Sequence, residues 1–481
     1  MRIELDNSDV LVTGLWINNQ AENRSDVFAV FDPYAKSIVQ HVADASGDDA
    51  VRAVELSSQA FASWKTCFVR ERAEILRRWA SVILEHQNDL AKILTLESGK
   101  VVTEALGEIR HSASMLNWYA ESALRMTGEI LPSHSNDLRA HTIKQPLGVV
   151  ACITPWNFPA AAMIVKAGAA IAAGNTCVVK PSDETPLIAL ALARLATVAG
   201  LPANVLNVLP CKSPQAVGEV LCKSDVVRMI SFTGSIATGK RLYEQCASTL
   251  KRVAFELGGN APFIVFDDAD LERAANAAMN ARFYNGGQIC VGANRFFVQK
   301  HVYAAFIEKL HAKITQLTVG DPFDESTQLG PLINEVSVTR INHLITDATQ
   351  KGARVITGGD VIDNTFINPA LLVDMTADMN AYQQEIFGPV VCVYAFDSED
   401  EVIQLANDTQ AGLAAYVFSQ DYSRLTRLSE SIDAGAIGAN STALFSQDIP
   451  FGGIKQSGIG KEQGIHSLEE FIDTKAICLG L

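Results

Sequence analysis

The residues best suited to covalent chemistry surround Cys290. It stands in Asn285-Gly286-Gly287-Gln288-Ile289-Cys290-Val291-Gly292, with glycines on both sides. Glycines permit close backbone approach and dihedrals closed to other residues. A nucleophilic thiol needs access, and backbone N–H groups that face the developing oxyanion. On this local feature alone, a free cysteine in a surface loop is the commoner outcome. Cys152 and Cys177 lie inside apolar strand runs, where a thiol is usually an inert small hydrophobe. Glu256 ends the strand-like run Arg252-Val253-Ala254-Phe255-Glu256-Leu257, before Gly258-Gly259-Asn260. A carboxylate in an apolar setting has its charged form disfavoured, which suits a general base. Read in isolation, it is a solvated strand terminus.

Two further segments could bind or orient. In Thr154-Pro155-Trp156-Asn157-Phe158-Pro159, two prolines fix the backbone around Asn157. The Asn157 amide could donate to an oxyanion, or it could cap a helix. In Phe232-Thr233-Gly234-Ser235-Ile236-Ala237-Thr238-Gly239 a strand runs through a Gly-rich turn into a helix. That turn can place a phosphate at the helix N-terminus, although Gly and Ser also simply make turns.

Several standard signatures are missing. The chain has no GxGxxG, Walker A, HExxH or GxSxG motif; Gly458-Ile459-Gly460 fails the first because position 463 is Gln. The nine cysteines are widely spaced and form no CxxC pair, which argues against a disulfide framework and a zinc ribbon. No metal site is expected. The net charge of −15 argues against nucleic acid or an anionic membrane as partner.

Elements must bring these residues together. A chain of 481 residues, 48% hydrophobic, can bury a large core and is expected to form more than one domain. Apolar residues recur with helical spacing from 71 to 94. From Gly148, β-rich runs (148–154, 176–181, 205–209, 227–232, 252–257) alternate with helical runs (160–173, 187–198, 238–246). Such alternation implies crossovers and a parallel, doubly wound sheet, whose ligands sit beyond the strand C-termini. A second alternating set begins near Asp267, with helices at 271–284 and 302–317 and strands at 295–299, 390–396, 414–418 and 436–440, so a boundary is expected near Leu257-Gly258-Gly259. The terminal run 476–479 reads as an apolar strand that needs a partner. The N-terminus lacks an apolar signal core and the run 160–173 is broken by Lys166, so a cytoplasmic protein is expected.

Taken together the motifs resemble the NAD(P)-dependent aldehyde dehydrogenase superfamily. The ordered set is TPWNFP (154–159), KPSDETP (180–186), FTGS (232–235), ELGGN (256–260), GQIC (287–290), EIFGP (385–389) and PFGGIKQSG (450–458). The stretches 258–271, 450–462 and 477–481 are most similar to the succinate-semialdehyde dehydrogenase group. The resemblance implies an α/β fold of two doubly wound parallel-sheet domains plus a small bridging element. It assigns 1–119 and 140–255 to an NAD(P)-binding domain, 256–448 to a catalytic domain, and 120–139 with 449–481 to the bridging element. It also implies a homodimer or homotetramer.

Roles follow from the same resemblance. Cys290 matches the thiolate nucleophile, Glu256 the general base, Asn157 the oxyanion donor and Lys166 a supporting lysine. Lys180 and Asp183 match the adenosine-ribose contacts. Gly234, Ser235 and Gly239 match the pyrophosphate turn, and Trp156 lines the cofactor. Glu385 matches the ligand of the nicotinamide ribose, with Phe387 against the nicotinamide. The implied reaction is attack of Cys290 on an aldehyde, hydride transfer to the cofactor, and hydrolysis of the thioester with Glu256 as base. The family binds its cofactor without GxGxxG. Coenzyme A-acylating relatives lack such a base, so Glu256 favours hydrolysis.

Departures from the family pattern bear on specificity. Succinate-semialdehyde enzymes typically hold the distal carboxylate with two arginines; here those positions are Val165 and Tyr284. Burying a carboxylate without a cation costs on the order of several kcal/mol. Arg282 is nearby, but two positions away on a helix it faces elsewhere. With Phe158, Val165, Tyr284 and Phe445 the pocket reads as apolar, so a neutral or aromatic aldehyde is expected, with succinate semialdehyde as the alternative. Asp183, followed by Glu184, can accept from a ribose 2′-hydroxyl and repel a 2′-phosphate, so NAD is expected over NADP. A second cysteine two residues beyond the nucleophile, used by some relatives as a redox switch, is replaced by Gly292.

Overall fold

The computed structural model describes residues 3–481. Five consecutive β-rich runs assemble into one parallel array, in the spatial order Leu206–Val208, Thr176–Lys180, Val149–Ile153, Val227–Gly234, Arg252–Leu257. Antiparallel strands close both edges: Leu15–Ile17 with Gln20–Glu22 on one side, Gly458–Ile459 on the other. Val149–Ile153 and Thr176–Lys180 are buried at every position. Helices cover both faces of such a sheet, so its strands are continuous apolar runs rather than alternating ones.

The chain leaves this sheet at Leu257 and enters a second one at Ala261. That sheet runs Arg354–Thr357, Ala370–Val373, Val390–Phe396, Ala293–Gln299, Ala261–Val265, Ala414–Phe418, Ala436–Ala439. All neighbours are parallel except the Arg354–Thr357 edge. Its buried core includes Phe263, Phe296 and Phe418, with the Phe263 and Phe418 rings stacked at 4.7 Å.

The terminal strand is longer than the apolar run 476–479. Ile472–Gly480 pairs residue for residue, antiparallel, with Leu138–Pro146, and Ile130–Leu131 completes a three-stranded sheet. Within that sheet one edge of Ile472–Gly480 is open, so its apolar end has found one partner strand and not two. The helical pattern at 71–94 divides into Val69–Glu85 and Gln87–Ser98, with His86 at φ −104°, ψ 14° between them. Both helices turn apolar faces to the same core, so the periodicity runs on through a break that no Gly or Pro marks. The run at 160–173 starts at Pro159, and its middle, Ile164–Gly168, is wound as a π-helical turn carrying Lys166. Such turns recur at functional sites because they re-aim a side chain. Among the described residues no helix is long and apolar enough to cross a membrane.

Candidate active site

The C-terminal ends of the first sheet's parallel strands lie in register. Ile153 is paired with Lys180, and Thr233 with Glu256, so Trp156, Asn157, Lys180, Gly234, Ser235 and Glu256 emerge along one edge. The second sheet faces that edge with Cys290, which precedes the strand Ala293–Gln299. Contact between the two is close: a Cβ added at Gly259 would lie 2.5 Å from the Cys290 carbonyl oxygen. Only glycine fits there.

Asn157 is buried, and its Nδ2 donates to the Gln288 carbonyl at 3.0 Å. Its own carbonyl accepts from Lys100 Nζ at 2.9 Å and Asn285 Nδ2 at 3.1 Å. A carboxamide nitrogen carries two hydrogens. One holds the side chain against the Cys290 loop, and the other has no protein acceptor among the hydrogen bonds of the described residues. Cys290 itself is partly exposed. Burial of its sulfur pushes the thiol up from its ordinary range, and the Glu385, Glu256 and Glu462 carboxylates add to the shift. The resting group is therefore a thiol that needs a base.

Glu256 supplies a candidate. It is buried, and its Oε2 has no hydrogen-bond partner. Burial, then the nearby Glu462 charge, hold its carboxyl well above the usual range, while Lys166 and Lys461 act in the opposite sense. A Cβ added at Gly452 would lie 2.8 Å from Glu256 Oε1, so the PFGG segment presses its backbone against this carboxylate. The fully buried Lys166 ammonium is paired with Glu462. Sequence reasoning passed over Glu462, although it closes the stretch 450–462; no local pattern distinguishes it from a solvated loop carboxylate.

The residues that the family resemblance gives to a cofactor sit at strand ends and in the loops that follow them. Ser235 caps the helix Ile236–Cys246, its Oγ accepting from the Thr238 N–H at 3.3 Å. The first-turn N–H groups there and the side-chain-free Gly234 make an anion cradle. A Cβ at Gly239 would come within 2.7 Å of Leu257, which explains how tightly this helix sits on the sheet. Glu385 accepts from the Gly259 N–H at 3.2 Å. Burial pushes its carboxyl up to about 7, against the pull of Gly259 N–H, Arg282 and Arg340. Phe387 adopts φ 49° and meets Trp156 edge-on, ring centroids 5.5 Å apart. Lys180 Nζ donates to the Pro181 carbonyl at 3.0 Å. Together, the cradle for a pyrophosphate, Glu385 for ribose hydroxyls and the aromatic pair fit a nicotinamide dinucleotide.

Asp183 has a charged partner that the sequence did not show. Its Oδ2 accepts from Lys212 Nζ at 2.8 Å. The carboxylate expected to repel a 2′-phosphate is thus partly neutralised by an ammonium from the turn after Leu206–Val208. That contact links chain positions 29 residues apart and leaves no local sign.

Of the residues expected to line a substrate pocket, Phe158 and Tyr284 stack at 5.9 Å with an interplanar angle of 18°. Val165 is buried. Arg282 is fully buried, and its guanidinium donates to the carbonyls of Gly388 (2.8 Å) and Ala293 (2.9 Å), so its donors are committed to backbone oxygens. Phe445 is half exposed and packs on Phe451 at 4.8 Å rather than completing the Phe158–Tyr284 stack.

Residues 16–477 match the aldehyde dehydrogenase family. The succinate-semialdehyde dehydrogenase [NADP(+)] of Escherichia coli (strain K12) is 44% identical over 473 residues, covering 98% of this chain and 97% of that protein. The glutarate-semialdehyde dehydrogenase of Pseudomonas putida is 43% identical over 470 residues, covering 98% and 97%. Among solved structures, an E. coli NADP dependent enzyme superposes with a TM-score of 0.98 at 44% identity, over 99% of this chain and 100% of the other.

Proposed function

The chain belongs to the aldehyde dehydrogenase family, an NAD(P)-dependent aldehyde-oxidising enzyme, and on that premise we propose that Cys290 carries the reaction. The supporting observation is the juxtaposition of three groups. Asn157 reaches the carbonyl two residues before Cys290, and Glu256 holds a buried, unpartnered carboxylate oxygen whose charge the thiol feels. Glu256 takes the thiol proton, and the thiolate adds to the aldehyde carbonyl. The free Asn157 N–H and the Cys290 backbone N–H receive the oxyanion. Ser235, Glu385 and Lys180 would hold NAD(P), which when bound would supply the hydride acceptor. The acyl group is left as a thioester on Cys290; Glu256 gives the thiol proton to solvent and, a carboxylate again, deprotonates a water whose attack releases the carboxylic acid and frees the Cys290 sulfur. Lys166 and Glu462 set the charge around that base.

We propose an apolar or aromatic aldehyde as substrate. Phe158 and Tyr284 offer a stacked aromatic wall, Val165 adds an apolar surface, and Arg282 is spent on backbone carbonyls. A second reading, an aldehyde with a distal carboxylate such as succinate semialdehyde, draws on the names of the relatives. It lacks a cation at positions 165 and 284. Comparing kcat/KM for benzaldehyde and succinate semialdehyde separates the two: a clear preference for the latter overturns the apolar reading.

NAD is the proposed cofactor, with NADP also accepted because Lys212 offsets Asp183. The open edge of Ile472–Gly480 supports a homodimer or homotetramer.

A further inference from the structure

Three carboxylates from the N-terminal helices accept from backbone N–H groups of other elements. Glu97 accepts from the N–H groups of Leu187 (2.8 Å) and Ile188 (2.9 Å), and Glu108 from those of Ala160 (3.0 Å) and Ala161 (3.1 Å). Both receiving helices begin with proline and have no side-chain cap of their own, so their first-turn donors are satisfied from outside. Glu104 does something different. Both its oxygens accept from the Asn285 N–H, at 3.1 Å each.

Asn285 is left-handed, with φ 52°, a conformation that Asn tolerates better than most residues. Its Nδ2 lies 3.1 Å from the Asn157 carbonyl and 3.2 Å from the Gln288 carbonyl. Asn157 Nδ2 reaches that same Gln288 oxygen, which has lone pairs for both. Lys100 completes the cluster, donating to the Asn157 carbonyl while paired with Glu108. Asn157 follows a strand of the first sheet and Cys290 precedes a strand of the second. Asn285 therefore bridges the two halves of the site by a single side chain.

We infer that Asn285, held by Glu104, is a positioning residue: it ties the Asn157 backbone to the Gln288 carbonyl and so fixes the oxyanion donor relative to the Cys290 thiol. The inference rests on the roles given above to Asn157 and Cys290. Its physical basis is that a displacement of about 1 Å at a reacting centre can cost about 100-fold in rate.

The test compares Asn285→Gly, Glu104→Gln and Glu104→Ala with Asn157→Ala, all as full-length enzyme with benzaldehyde and NAD. Glycine keeps the left-handed backbone and removes only the bridge. Asn285→Gly should lower kcat about 10- to 100-fold, with KM for NAD within about twofold of the parent. Alkylation of Cys290 by iodoacetamide, which forms no oxyanion, should stay within about twofold. Glu104→Gln retains an acceptor for the Asn285 N–H and should fall less than Glu104→Ala; this pair carries the comparison if the glycine variant does not fold. Full kcat in Asn285→Gly beside a crippled Asn157→Ala overturns the inference alone. Full kcat in Asn157→Ala instead overturns the oxyanion assignment beneath it. Equal slowing of turnover and alkylation means Asn285 only maintains the loop, and also overturns the inference.

Discussion

Lys166 and Glu462, 296 residues apart in the chain, form a buried ion pair beside Glu256. The lysine favours the charged form of Glu256 and the second glutamate disfavours it. The pair therefore tunes the proposed base from both sides.

Glu462→Gln follows from that balance. Removing the Glu462 charge leaves Lys166 unopposed, which lowers the Glu256 pKa. The base is active when deprotonated, so the acidic limb of the kcat–pH profile should move to lower pH. Lys166→Met removes the opposing cation and should move the limb the other way. A profile that stays put in both variants would detach Glu256 from that limb.

Cys290→Ser tests the nucleophile. The hydroxyl is a far weaker nucleophile than the thiol, so kcat should fall by at least about 10³-fold while NAD binding persists. Retention of full activity would show that another group attacks the aldehyde.

Substrate choice turns on Tyr284. Tyr284→Arg places a cation where the pocket has an aromatic ring. A charge-assisted bond to a carboxylate contributes about 1.5–3 kcal/mol, so kcat/KM for succinate semialdehyde should rise by at least about tenfold. Benzaldehyde should lose efficiency with the stack on Phe158. Kinetics with both aldehydes, parent against variant, check this; an unchanged ratio would remove Tyr284 from the pocket.

Cofactor discrimination turns on Lys212. Lys212→Ala bares the Asp183 carboxylate, which should repel a 2′-phosphate and leave a 2′-hydroxyl acceptor intact. Kd for NADP should weaken about tenfold more than Kd for NAD, read by fluorescence titration at low salt, where screening is least. Equal weakening of both would place the pair away from the ribose.

Much of the scaffold was legible in the sequence. Strand runs bounded by Gly and Pro marked where each parallel strand ends, and Asn157, Lys180, Ser235 and Glu256 all stand at those ends. What stayed hidden has a common cause. Glu104, Lys212 and Glu462 are ordinary charges in helices or loops, and their meaning arises from partners 29 to 296 residues away. Local patterns report which face is buried, not which distant group a buried charge will meet. His86 illustrates a second limit: two helices packed on one core keep a single apolar period across the break between them.

Glu256→Gln offers the most direct test of covalent chemistry at Cys290. Without a base for hydrolysis, the variant mixed with NAD and benzaldehyde should release at most one equivalent of NADH per site and then stall, once the thiol has been activated at alkaline pH. Peptide mass spectrometry of the stalled enzyme should find a benzoyl group, in place of one hydrogen, on the peptide containing Cys290. Steady turnover without that adduct, or a benzoyl group on another cysteine, would contradict the account.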